Sequence, residues 1–186
     1  MGEKRQARQG ADVLLQEEPL RFQTRKQVGL LGGNFNPVHL AHLVMADQVQ
    51  NQLGLDKVYL MPTYLPPHVD EKKTISSEHR LAMLELAVAD NPCLDIEPIE
   101  LIRKGKSYTY DTMKALKEAN PDTDYYFIIG GDMVEYLPKW HRIDDLLHLV
   151  QFVGIRRPNY PTESTYPIIW VDVPQMAISS TLRSEE

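Results

Sequence analysis

A single cysteine, Cys93, stands among 186 residues, so no internal bridge can form. That excludes a disulfide scaffold and fits a reducing, cytoplasmic setting. No apolar run comes near the roughly 20 residues a membrane-spanning helix needs, and the opening residues show no secretory pattern, so no membrane partner is expected. Positive charge is in deficit. Lys and Arg number 20 against 26 Asp and Glu, a net charge of −6. A nucleic-acid backbone favours basic surfaces, so no nucleic-acid partner is expected either, although a local positive field could still hold a small anion. Internal repeats and low-complexity tracts are also missing. What remains is 42% hydrophobic and 25% charged residues, the mixture of an ordinary globular domain long enough to enclose a core.

Residues 1–27 lack periodicity and read as a flexible extension outside the fold, leaving one domain over 28–186. From Val28 onward, short apolar runs alternate with helical stretches. Strands are expected at Val28–Leu31, Lys57–Met61, Cys93–Leu101, Tyr125–Ile129, Gln151–Ile155 and Ile168–Val173, with Pro98 interrupting the third of these or placing it on an edge. Helices are expected at Pro37–Leu53, from Ser76 or Ser77 to Val88, at Asp111–Ala119 and at Asp144–Leu149. Asn36 suits the cap of the first helix and Pro37 its first position. Strands separated by helices predict an α/β fold with a mostly parallel sheet, whose ligands sit beyond the carboxyl ends of the strands.

The first strand exits into Gly32-Gly33-Asn34-Phe35-Asn36-Pro37-Val38-His39-Leu40-Ala41-His42. Two glycines admit close backbone approach, and a helix start offers free N–H groups and a dipole to an anion. His39 and His42, three apart, share one face of the first turn and can donate to phosphate oxygens. The combination describes a phosphate cradle without the lysine of a Walker-type loop. Zinc is disfavoured, since the zincin pattern needs i, i+4 and an intervening Glu. Two surface histidines beside an ordinary turn are the plain alternative.

Gly32 to Leu43 resembles the nucleotidyltransferase signature His-x-Gly-His, with Ala41 where the glycine usually stands. Further segments sharpen the likeness to bacterial nicotinate-nucleotide adenylyltransferases. They are Pro66-Pro67-His68, Glu78-His79-Arg80-Leu81, Ser107-Tyr108-Thr109-Tyr110-Asp111-Thr112, Gly130-Gly131-Asp132, Leu137-Pro138-Lys139-Trp140, Arg157-Pro158 and Ile178-Ser179-Ser180-Thr181. The resemblance implies a Rossmann-like nucleotidyltransferase domain with helices on both faces of its sheet, ending here before the family's usual C-terminal helical segment. It implies adenylyl transfer from ATP to nicotinate mononucleotide, with Mg²⁺ accompanying ATP. A phosphopantetheine-type enzyme of the same fold, or a nucleotide sensor with a weakened site, are the alternatives.

By resemblance, His39 and His42 are the catalytic pair on the ATP phosphates. Gly32, Gly33, Asn34, Phe35 and Asp132 line the ATP side, as do Ser179, Ser180, Thr181 and Arg183. Arg183 follows Thr181 after one residue, where the family has two. Asn34, Thr109, Trp140 and His141 are implied for the mononucleotide. Trp140 has two open readings, a stacking platform for the pyridine or a core aromatic. Asp132 and the Ser-Ser-Thr run read equally as helix caps. A homo-oligomer stays open.

Overall fold

The computed structural model describes residues 25–65, 75–156, 162–174 and 176. In chain order it runs β1 (Lys26–Gly33), α1 (Leu40–Leu53), β2 (Lys57–Pro62), α2 (Ser77–Val88), β3 (Leu94–Ile96), α3 (Ile99–Arg103) and α4 (Thr109–Ala119). It continues with β4 (Thr123–Gly130), α5 (Gly131–Val134), a 3₁₀ turn (Leu137–Lys139), α6 (Ile143–Leu146), β5 (Val150–Ile155) and β6 (Ile168–Val171). The six strands form one parallel sheet in the order β3-β2-β1-β4-β5-β6. The expected α/β class therefore holds.

Period-2 alternation divides the apolar residues between the two faces of the sheet. Val28, Leu30, Phe127, Ile129 and Phe152 pack on one side with Met113 and Leu116 of α4 and Leu146 of α6. Leu31, Ile128, Val153 and Ile155 pack on the other with Ala46 and Val49 of α1 and Leu84 of α2. Register agrees with this division, since Leu31 pairs with Leu60 on one flank and with Ile128 on the other. Gly54, in the left-handed region at φ 64°, ends α1 as a left-handed cap.

Several boundaries differ from expectation. β1 begins at Lys26, inside the stretch assigned to the extension, and Arg25 just before it pairs with Asp124 at 2.8 Å. α1 begins at Leu40 with His39 as its extended cap, three residues after Pro37. The segment between is a turn in which Phe35 takes a positive φ of 47°. Cys93–Leu101 is not one strand. β3 stops at Ile96, and Pro98, which has no N–H to give a ladder, becomes the cap of α3 instead. The Glu97 carboxylate accepts the Ile99 N–H there at 3.0 Å.

Candidate active site

After β1 the chain moves outward through β2 and β3, then returns through α4 to place β4 on the other flank of β1. The order reverses between β1 and β4, and such a switch point opens a crevice beyond the carboxyl ends of the strands. The residues leaving those two ends are Gly32-Gly33-Asn34 and Gly130-Gly131-Asp132. Both are glycine pairs followed by a short polar side chain.

Phe35 shapes the first of these turns. Its ring is buried at 2% exposure and packs with the α1 side of the core. A side chain on Gly33 would meet that ring at 3.1–3.3 Å, so glycine is what lets the ring lie under the turn. The ring also meets His42 edge-on, centroids 5.0 Å apart. As an expected ATP-side residue, Phe35 thus has only backbone to offer.

His39 and His42 stack face to face, centroids 3.7 Å apart and planes 27° from parallel. The reading of two solvated surface histidines does not hold, because His39 is buried and His42 half-buried. The His39 N–H donates to His42 Nδ1 at 3.2 Å. An accepting Nδ1 carries no proton, so a neutral His42 holds its proton on Nε2. The local helix start therefore selects the tautomer and leaves the distal nitrogen as a donor.

The Glu78-His79-Arg80-Leu81 motif by itself gives Arg80 no role, and the structure supplies one. It is 2% exposed, and its Nη1 donates to the Asn34 carbonyl at 2.8 Å, to Asn34 Oδ1 at 3.2 Å and to the Thr63 carbonyl at 2.8 Å. It ties α2 to the turn after β1 and to the end of β2. Burial lowers its pKa from the usual guanidinium value. The signal available in the sequence was a lone arginine in the first turn of an otherwise apolar-faced helix.

A polar thread joins this turn to the second half of the site. The Thr63 N–H donates to the Gly33 carbonyl at 2.9 Å, and the Tyr64 N–H to Ser107 Oγ at 3.2 Å. The buried Ser107 stands two residues before Thr109, the first residue of α4. Behind it, Thr112 donates to the buried Glu100 at 2.9 Å and accepts from Arg103 at 2.8 Å. Burial, the leading cause, pushes the Glu100 and Glu97 carboxyls above the ordinary range.

The segment 140–142 lies against the start of α4. Tyr108 and His141 rings are 4.8 Å apart, and the Arg142 guanidinium sits 4.1 Å from the Tyr110 ring centroid. Thr109 and His141 are thus on neighbouring segments. Trp140 is half-buried and meets Phe127 and Phe152 edge-to-face, both at 5.9 Å. These contacts bear out the core-aromatic reading in part, and the residue is not fully enclosed. Asp132 is half-buried in the first turn of α5 and does not occupy the cap position, which is Gly130. Ser179, Ser180, Thr181, Arg183, His68 and Arg157 lie outside the described residues.

This chain is 66% identical over 166 residues to a probable nicotinate-nucleotide adenylyltransferase of Streptococcus pneumoniae, spanning 89% of this chain and 79% of that protein. The chain belongs to the nicotinate-nucleotide adenylyltransferase family. A Lactococcus lactis member of the family is 65% identical over 161 residues, 87% of this chain and 83% of the relative. The broader cytidylyltransferase-like family matches residues 30–185. Among solved structures, the Plasmodium falciparum nicotinic acid mononucleotide adenylyltransferase complexed with NaAD aligns with a TM-score of 0.71 at 18% identity. That alignment covers 87% of this chain and 83% of the other, and at such identity it shows the shared fold. In this chain, the glycine turn and the histidine stack follow the carboxyl end of β1, next to β4 in the sheet.

Proposed function

We propose that the chain transfers the adenylyl group of ATP to nicotinate mononucleotide, giving nicotinate adenine dinucleotide and pyrophosphate. The stacked His39–His42 pair at the β1–β4 switch point, in a chain 66% identical to a family member, carries this reading. A phosphate oxygen of the mononucleotide attacks the α-phosphorus of ATP in line. The new P–O bond forms as the bond to the β-phosphate oxygen breaks, and pyrophosphate takes that electron pair. The nucleophile arrives anionic, so no general base and no covalent enzyme intermediate is needed. Catalysis rests on positioning and on charge stabilisation at the phosphorus.

In this reading the backbone of Gly32, Gly33 and Asn34 approaches the phosphates, and His42 Nε2–H donates to an oxygen that gains charge in the transition state. His39 holds the His42 ring through its own N–H. Thr109 and the backbone at His141 meet the pyridine carboxylate while Trp140 offers a face to the ring. Asp132 faces the ribose or the phosphate tail. Ser179, Ser180, Thr181 and Arg183 complete the triphosphate contacts.

Mg²⁺ belongs with the substrate. Among the described residues no group of three His, Cys, Asp or Glu side chains could hold a metal ion. No described helix is long and apolar enough to cross a membrane, and the reaction fits a cytoplasmic enzyme.

A product assay tests the proposal. ATP, Mg²⁺ and nicotinate mononucleotide should release pyrophosphate and give a dinucleotide detectable by mass. Nicotinamide mononucleotide should react more slowly, and phosphopantetheine not at all. ATP binding without pyrophosphate release from any partner would overturn the proposal in favour of a sensor.

A further inference from the structure

We infer that Arg80 is the built-in counter-charge of the phosphate turn, a positioning residue whose buried cation, without a carboxylate partner among the described residues, makes this part of an acidic protein receptive to polyphosphate. The inference rests on the reading of the Gly32–Asn34 turn as a phosphate site.

Buried charges are almost always paired, because the desolvation of an ion is costly. Arg80 departs from this rule. At 2% exposure it has three hydrogen bonds, all to neutral oxygens of Asn34 and Thr63 and all from Nη1. Its Nε is buried without a partner. No ion pair joins it to any Asp or Glu among the described residues, whereas Arg25, Lys57, Lys117, Arg142 and Arg156 all have carboxylate partners. A guanidinium stays protonated even when burial lowers its pKa, so the charge persists.

The position explains why the fold keeps such a group. Arg80 polarises the carbonyl of the residue that follows the two glycines. The His39–His42 stack starts the helix five residues later. The surrounding protein carries a net charge of −6, which repels ATP and nicotinate mononucleotide alike. A single cation shielded from water acts through a lower dielectric than a surface lysine would and is not neutralised by a neighbouring carboxylate. The missing counter-ion is then supplied by the substrate phosphates, and the cost of burial is offset only when they bind. The acidic surface and the local positive field coexist for that reason.

Two variants separate charge from scaffolding. Arg80→Lys keeps the charge and the reach but loses the planar fork. Arg80→Gln keeps a donor for the carbonyls and loses the charge. Binding of inorganic tripolyphosphate by calorimetry, with adenosine binding as the uncharged control, reads the difference without any turnover. Arg80→Lys should bind tripolyphosphate within about fivefold of the wild type, and Arg80→Gln at least tenfold more weakly, with adenosine unchanged in both. Equal loss in the two variants, or a parallel loss of adenosine, would make Arg80 a structural prop and overturn the inference. Should Arg80→Gln not fold, the lysine variant decides alone, since a loss beyond tenfold there contradicts a role based on charge. Failure of the wild type to release pyrophosphate would sink the proposed reaction but leave this binding result standing.

Discussion

Replacing His42 separates two functions that one ring performs. Its Nδ1 accepts the His39 N–H at the start of α1, and its Nε2 carries the proton proposed to meet the reacting phosphate. His42→Ala removes both. The lost cap costs about 1 kcal/mol. The lost ring contacts, to His39 at 3.7 Å and Phe35 at 5.0 Å, add up to about 1 kcal/mol more. At about 2–4 °C per kcal/mol for a chain of this size, the melting temperature should fall about 2–8 °C. His42→Asn is the sharper change, because the Asn amide oxygen lies near the place of Nδ1 and can accept the same N–H. It keeps the cap and loses the distal donor. Removing one preorganised donor costs about 10²–10³ in kcat, so both variants should lose that much. Steady-state pyrophosphate release beside thermal unfolding of each variant gives the test. If His42→Asn keeps turnover within threefold of the wild type, the distal proton plays no part and the reasoning fails.

Other consequences follow from the same geometry. Trp140→Ala should cost about 2–3 kcal/mol in urea unfolding, less than a fully buried aromatic, and raise KM for nicotinate mononucleotide more than for ATP. Equal rises for both substrates would make the ring purely structural. Gly154→Ala should destabilise by about 1–3 kcal/mol, because a Cβ there would stand 2.7 Å from the Trp170 ring, and an unchanged urea midpoint would refute the clash. Glu100 has its carboxyl raised by burial, so its contribution to stability is complete below the unfolded carboxylate pKa and is lost as pH rises through the folded value. Glu100→Gln should therefore gain most on the wild type near pH 7.5, and the gap should narrow toward pH 4.5. A gap independent of pH would contradict the burial argument.

Local chemistry was legible from one dimension. The alternating runs at Val28–Leu31 and Tyr125–Ile129 could be read as buried strands because side chains in a strand alternate strictly between two faces. Gly-Gly followed by His39 and His42 could be read as a candidate phosphate turn, and is proposed as one, because backbone access and helix-start donors depend on neighbours in sequence. The family motifs carried the reaction with them. The late start of α1 and the early end of β3, where Pro98 does interrupt the strand, have one cause. Asn36-Pro37 and Pro98 are start signals whose outcome depends on what the chain packs against. Phe35 diving into the core delays α1 to Leu40, and Glu97 capping Ile99 turns the expected strand end into α3.

The sequence by itself settled which residues can bond, bend or carry charge, since those properties belong to each side chain and its near neighbours. Tertiary structure alone decided which of them meet. Gly33 and Asp132 are separated by about a hundred positions yet leave adjacent strands, because the sheet order reverses between β1 and β4. Arg80 lies 46 positions from Asn34 and braces it, because α2 crosses back over the sheet. Such pairings depend on the long-range registry of apolar faces, and no local pattern of residues encodes them.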